Sequence, residues 1–138
     1  ADVFYGSVHV DPGAGWFPHF MGFADETGDG PGAGCNRNLP LPPGSGSRPW
    51  LEALAVLLEE ADRRHPEAVV VSLGLDGWMG DPESPLQVDE AGYATAGEMV
   101  GGMGVPVVFV QEGGYDLAHL GRLVVAVLAG FEKASGSR

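Results

Sequence analysis

Residues 68–78 read Ala68-Val69-Val70-Val71-Ser72-Leu73-Gly74-Leu75-Asp76-Gly77-Trp78, and this stretch decides the fold. Its continuous β-branched run, 68–73, predicts a strand covered on both faces in a parallel sheet. Val105 to Val110 repeats the pattern despite Pro106 near its start, and residues 2–10 supply a further, mostly buried strand from Val3, Phe4, Tyr5, Val8 and Val10. Helical patterns lie between and after. Past Pro49, apolar residues recur at Trp50, Leu54, Leu57, Leu58 and Ala61 with Glu52, Glu59, Asp62 and Arg63 turned outward, and Pro66 stops the helix. Asp89 caps a helix to about Met103, weakened by Gly92, Gly97 and Gly101. Asp116 caps the last one, with an apolar stripe of Leu117, Leu120, Val124, Val127, Leu128 and Phe131. Strands alternating with helices predict an α/β fold of three layers: a parallel sheet of at least three strands, right-handed crossovers, and flanking helices. No repeat or low-complexity linker divides residues 1–138, so one domain is expected.

Residues 11–49 are dominated by Gly and Pro, with Trp16, Phe17, Phe20 and Phe23 interleaved. Such a composition predicts one long loop, and long ordered loops inside compact domains tend to be functional. In parallel sheets ligands bind beyond the carboxyl ends of the strands, so the loops after residues 10, 73 and 110 should carry the chemistry.

Charge narrows the partners. A formal net charge of -12 repels phosphate backbones and anionic membranes, which argues against nucleic acid and membrane, and draws amines, basic peptides or divalent metals. Cys35 is alone, so no intrachain disulfide forms and a reducing cytoplasm is expected. No apolar run reaches the roughly 18 residues that span a bilayer. The chain opens directly on Ala1-Asp2-Val3-Phe4-Tyr5, as a piece of something longer would.

Asp76 stands at the mouth of a buried strand between glycines that permit close approach, where a carboxylate can ligate a metal or cap a turn. In Gln111-Glu112-Gly113-Gly114-Tyr115, two glycines let the backbone bend and aim Tyr115 over the same sheet edge. Its hydroxyl can donate to a developing oxyanion, or its ring can pack beneath the following helix. The first loop carries Ser7-Val8-His9-Val10-Asp11-Pro12 and then Gly15-Trp16-Phe17-Pro18, whose aromatics can wall a narrow channel or pin the loop.

Together "SLGLDGWMGDP", "QEGGYDL" and "GSVHVDPGAGWFPHF…GFADETG" resemble, in order and spacing, the histone deacetylase and acetylpolyamine amidohydrolase superfamily of zinc-dependent deacetylases, specifically its C-terminal portion. The resemblance covers nearly the whole chain and implies an arginase/deacetylase-like fold. It implies that Asp76 ligates Zn²⁺, that Tyr115 polarises the scissile carbonyl, and that Gly113 and Gly114 deliver it. Phe17, with Trp16 beside it, matches the aromatic wall of an acyl-lysine tunnel, and Ser7-Val8 a monovalent-cation loop. The implied reaction removes acetyl from acetyl-lysine peptides, acetylated polyamines or other small amines, and acetate esters are a further substrate class.

Two motifs of that family are missing. Its Asp-x-His metal ligands and its His-His base pair lie upstream of the segment matching residue 1, and His9, His19, His65 and His119 are the only histidines here. Catalytic zinc takes three protein ligands plus water, so Asp76 alone does not suffice. Three expectations follow: a fragment completed by another segment, a rebuilt metal site using Asp76, His9 or His19, and Asp81, or a non-catalytic remnant. A module that binds acyl or amine groups without turnover is the alternative from outside enzymology. A half-sheet exposes apolar faces and an unpaired strand, so self-association into a homo-oligomer is expected.

Overall fold

The computed structural model describes residues 2–136; Ala1, which heads the opening stretch, and the terminal Ser137 and Arg138 lie outside the described residues. Four strands and three α-helices follow in the order β1 (Tyr5–Val10), β2 (Asn36–Leu41), α1 (Ser47–Asp62), β3 (Val69–Leu73), α2 (Glu90–Gly101), β4 (Val107–Gln111) and α3 (Leu120–Ser135). All strand pairing is parallel, as the α/β alternation predicts. It is arranged as two pairs, β1 with β2 and β3 with β4, rather than as one ladder of three.

Strand β2 falls inside the stretch expected to be loop. Asn36, Arg37, Asn38 and Pro40 give it poor strand propensity, yet it pairs in register from Tyr5↔Asn36 to Val10↔Leu41. A side chain secures it: Asn38, buried, donates its amide to the Phe23 carbonyl at 3.1 Å. Strand β1 is also shorter and more open than expected, beginning at Tyr5 with only Val10 buried.

The expectation that the 68–73 strand is covered on both faces is corrected. Along β3 and β4, Val71 and Phe109 pack against the core, while Val70 and Val108 on the other face are 70% and 58% exposed. Within this chain α2 and α3 cover one side of the pair only. That side holds the core of Leu73, Leu75, Trp78, Val88, Tyr93, Leu123 and Val127.

Helix α2 carries the glycines that weaken its intrinsic propensity, and they are where it meets α3. A β-carbon at Gly97 would lie 2.0 Å from the Val127 carbonyl oxygen, and one at Gly130 would lie 2.0 Å from that of Ala94. The helix therefore gives up propensity for backbone-to-backbone approach, and packing more than repays it. Asp89 caps α2 as expected, accepting the Gly92 N–H at 2.7 Å and the Ser47 hydroxyl at 2.8 Å. Asp116 does not begin α3. It closes a separate turn, accepting the Ala118 N–H, and the helix starts at Leu120, so Leu117 is 81% exposed and leaves the apolar stripe. Helix α1 starts at Ser47, before the expected position, because Pro49 is tolerated in a first turn. No helix among the described residues is long and apolar enough to cross a membrane.

Candidate active site

The loops after β3 and β4 form one unit. Leu75 N–H donates to the Gly113 carbonyl at 2.9 Å and Glu112 N–H to the Leu73 carbonyl at 3.0 Å, so each loop leaves its strand hydrogen-bonded to the other. The Asp76 carboxylate sits in the resulting notch. A β-carbon at Gly113 would lie 2.6 Å from its Oδ1 and one at Gly74 2.8 Å, so both positions must be glycine for the carboxylate to occupy that space. At Gly114, φ +133°, a β-carbon would lie 2.7 Å from Leu120 Cδ1 and 3.0 Å from Leu75 Cβ, so a side chain would collide and the backbone angle would be strained. The Asp76 carboxylate thus faces the neighbouring loop at Gly113.

Burial pushes the Asp76 carboxyl above its ordinary value; its own backbone N–H holds it partly back, and the nearby charge of Asp81 adds to the rise. A carboxylate so placed favours a proton or a cation beside it. Tyr93 is almost wholly buried, with its hydroxyl against Gly77, the residue after Asp76. Burial, then the charges of Asp76 and Asp81, push that phenol far above its ordinary value, so it stays protonated.

Tyr115 is 55% exposed. Its backbone N–H donates to Asp81 Oδ2 at 2.7 Å. The next residue, Asp116, accepts the Trp78 indole N–H at 3.1 Å and lies 2.6 Å from His119 Nδ1, while the Trp78 and His119 rings stack at 5.2 Å. Burial pushes the Asp116 carboxyl up, but its bonds to His119 and Trp78 prevail and hold it below the ordinary value.

The remaining expected site residues lie elsewhere. His9 has both ring nitrogens committed, Nδ1 to the Ser7 hydroxyl at 2.7 Å and Nε2 to the Gly22 carbonyl at 2.8 Å. A carbonyl only accepts, so Nε2 carries a proton and has no lone pair free for a metal. Ser7 spends its hydroxyl on the same bond. His19 is exposed at φ 58° among the rings of Phe17 and Phe20, and Phe17 itself is 77% exposed, with Trp16 less so at 37%. Hollows along β2 and α1 and between α2 and α3 touch neither Asp76 nor Tyr115.

Among the described residues no three His, Cys, Asp or Glu side chains converge to hold a metal. The set Asp76, His9 or His19, and Asp81 is therefore not assembled within this chain. Asp81 in particular has both oxygens occupied by backbone amides. Tyr93, Trp78 and Asp116 pack or bond around these two loops in ways that the residue order does not signal. Of the bonds that Asp81 makes, only the one its Oδ1 accepts from the Glu83 N–H, in a turn that Gly80-Asp81-Pro82 favours, is signalled locally; those from Tyr115 and Asp116 are not.

The family described as "Histone deacetylase domain" matches residues 1–131. This chain belongs to the histone deacetylase family. It is 41% identical over 134 residues to "Acetylpolyamine amidohydrolase 1" of Pseudomonas aeruginosa, covering 97% of this chain and 38% of that protein. To the acetylpolyamine amidohydrolase of Mycoplana ramosa it is 43% identical over 129 residues, covering 94% and 38%. The crystal structure of an acetylpolyamine aminohydrolase from Burkholderia pseudomallei superposes with a TM-score of 0.91 at 39% identity, covering 96% of this chain and 38% of that one. A histone deacetylase homolog from Aquifex aeolicus gives 0.86 at 31%, covering 99% and 36%. The α/β, arginase/deacetylase-like architecture of this histone deacetylase family chain is thereby established, and the chain spans well under half the length of these relatives.

Proposed function

We propose that this chain supplies the oxyanion-stabilising half of a zinc-dependent deacetylase that removes acetyl groups from amines, acetylated polyamines or acetyl-lysine peptides among them. The observation that carries the reading is the Asp76 carboxylate seated against Gly113, two residues before an exposed Tyr115, with the two loops hydrogen-bonded. The resemblance of the chain to acetylpolyamine amidohydrolases supports the substrate class.

Asp76 would be one ligand of the zinc, and two more donors would come from outside the described residues, since these supply one suitable group of the three that catalytic zinc takes. Zinc in such a site polarises a carbonyl and lowers the pKa of bound water. The chain's own part is narrower. Gly74 and Gly113 leave space for the Asp76 carboxylate, Tyr115 donates its phenol O–H to the oxyanion of the tetrahedral intermediate, and Gly113-Gly114 bring it there. Phe17 and Trp16 give the acyl-amine stem an apolar wall, and Ser7-Val8 is the monovalent-cation loop of this reading. Acetate esters are a further substrate class, the free thiol of Cys35 accords with a reducing cytoplasm, and the open Val70 and Val108 face accords with self-association. One domain over 1–138 belongs to the same proposal.

Acetate release from an acetylated polyamine by the complete gene product tests it. Tyr115→Phe should lower kcat by roughly 100- to 1000-fold, and Asp76→Ala should lower bound zinc. A wild type that releases no acetate, or a Tyr115→Phe variant as active as wild type, defeats the reading. Binding of acyl groups without turnover is the second reading, favoured by the lack of a three-ligand cluster among the described residues. It predicts saturable capture of the acetylated amine with no acetate released.

A further inference from the structure

Asp81 stands five residues after Asp76 and is 9% exposed, a buried carboxylate that the chemistry above leaves unused. Its partners are backbone amides. Oδ2 accepts the Tyr115 N–H at 2.7 Å and the Asp116 N–H at 3.2 Å, and Oδ1 accepts the Glu83 N–H at 2.9 Å. Two donors come from the loop after β4 and one from Asp81's own loop, so the carboxylate is a strut between the two.

We propose that Asp81 is a positioning residue, fixing where Tyr115 stands relative to Asp76. The proposal rests on the reading that Tyr115 acts on the substrate carbonyl. Tyr115 follows two glycines, one of them at φ +133°, so local backbone preference does not fix the direction in which the tyrosine leaves the loop. Nor does packing, since the residue is more than half exposed. What remains is its anchored N–H. A bond from N–H to a buried carboxylate is stronger than one to a neutral acceptor, and this one is paired with a second on the same oxygen. Asp116, bonded to Trp78 and His119, then holds the chain one residue further on. The role is not metal ligation: among the described residues Asp81 joins no cluster able to hold a metal, and both its oxygens accept backbone amides.

Asp81→Asn keeps the shape and removes one accepting oxygen. In the complete gene product it should lower kcat roughly 10- to 100-fold through misplacement of Tyr115, with KM and zinc content unchanged. In a Tyr115→Phe background the same substitution should change kcat by less than about two-fold, because no hydroxyl is left to place. Equal losses in both backgrounds, or loss of zinc with Asp81→Asn, overturn the proposal while leaving Tyr115 in its role. A fully active Tyr115→Phe overturns both together. Hydrogen exchange of the wild-type protein keeps the question open to decision should Asp81→Asn fail to fold. The Tyr115 amide should exchange far more slowly than that of exposed Leu117, and equal rates would refute the strut.

Discussion

Glycine does opposite things in the two halves of this molecule. Between α2 and α3 it is a contact residue: Gly97, Gly101 and Gly130 let the helix backbones touch, and the helices stay regular. Between β1 and β2 it is a turn residue, and the chain wanders for some 25 residues before pairing resumes. Order there comes from side chains gripping backbone. His9 donates to the Gly22 carbonyl, Glu26 accepts the Gly22 N–H, Asn36 donates to the Glu26 carbonyl and Asn38 to that of Phe23. One half is held by packed volume and the other by directed bonds, so the two should fail differently.

The sharpest test of that contrast is Gly97→Ala. Its new methyl would meet the Val127 carbonyl and the Phe131 amide, both backbone, so relief requires moving a whole helix. Overpacking of this kind costs about 3 kcal/mol, and urea unfolding should show it as a lowered midpoint. A neutral result would mean that α2 and α3 slide freely, contrary to interlocked packing. His9→Ala should cost less, about 1–2 kcal/mol for two lost hydrogen bonds. The cost should appear locally: amide exchange should speed up across residues 11–35 while α2 and α3 keep their protection.

The same contrast explains what could be read from sequence. Residues 69–73, 107–111 and the stripes of α1 and α3 are governed by apolar periodicity, which is written in residue order. That Asp76 and Gly113-Gly114-Tyr115 stand on neighbouring loops was legible, because each follows a strand of one parallel pair. Strand β2 was not legible, since Asn38 and Pro40 argue against a strand and its partner lies some 30 residues away. Nor was the strut of Asp81, because a carboxylate that reaches another loop leaves no local periodicity. The open face of β3 and β4 was misjudged for a related reason: a valine run reports a preference for burial, not what is present to bury it.

At the seam between the halves, Asp89 joins α2 to Ser47 at the start of α1. Bonds from Gly92 N–H and then Ser47 hold its carboxyl below the ordinary value, against a small opposing effect of burial. A depressed folded pKa means that the stabilisation is complete above the unfolded value and disappears as pH falls through the folded one. Asp89→Ala should therefore cost about 1 kcal/mol at neutral pH, with the difference from wild type vanishing in acid. A pH-independent difference would show that the cap acts without its charge.

The smallest expected effect on stability is also the one that decides what the aromatic loop is for. Phe17 is 77% exposed and touches the ring of His19 only edge-on, with centroids 6.4 Å apart, so it contributes little buried area to the loop that carries it. Surface substitutions of this kind stay within about 0.5 kcal/mol, and Phe17→Ser should leave both the unfolding midpoint and exchange across residues 11–35 as they were. If the ring is instead the wall of an acyl-amine channel, the complete gene product carrying Phe17→Ser should show a raised KM for acetylated amines with little change in kcat, because an apolar wall binds ground state and transition state alike. Loop exchange that accelerates with KM unmoved would make Phe17 a pin, and this loop would then be held by packing as well as by bonds.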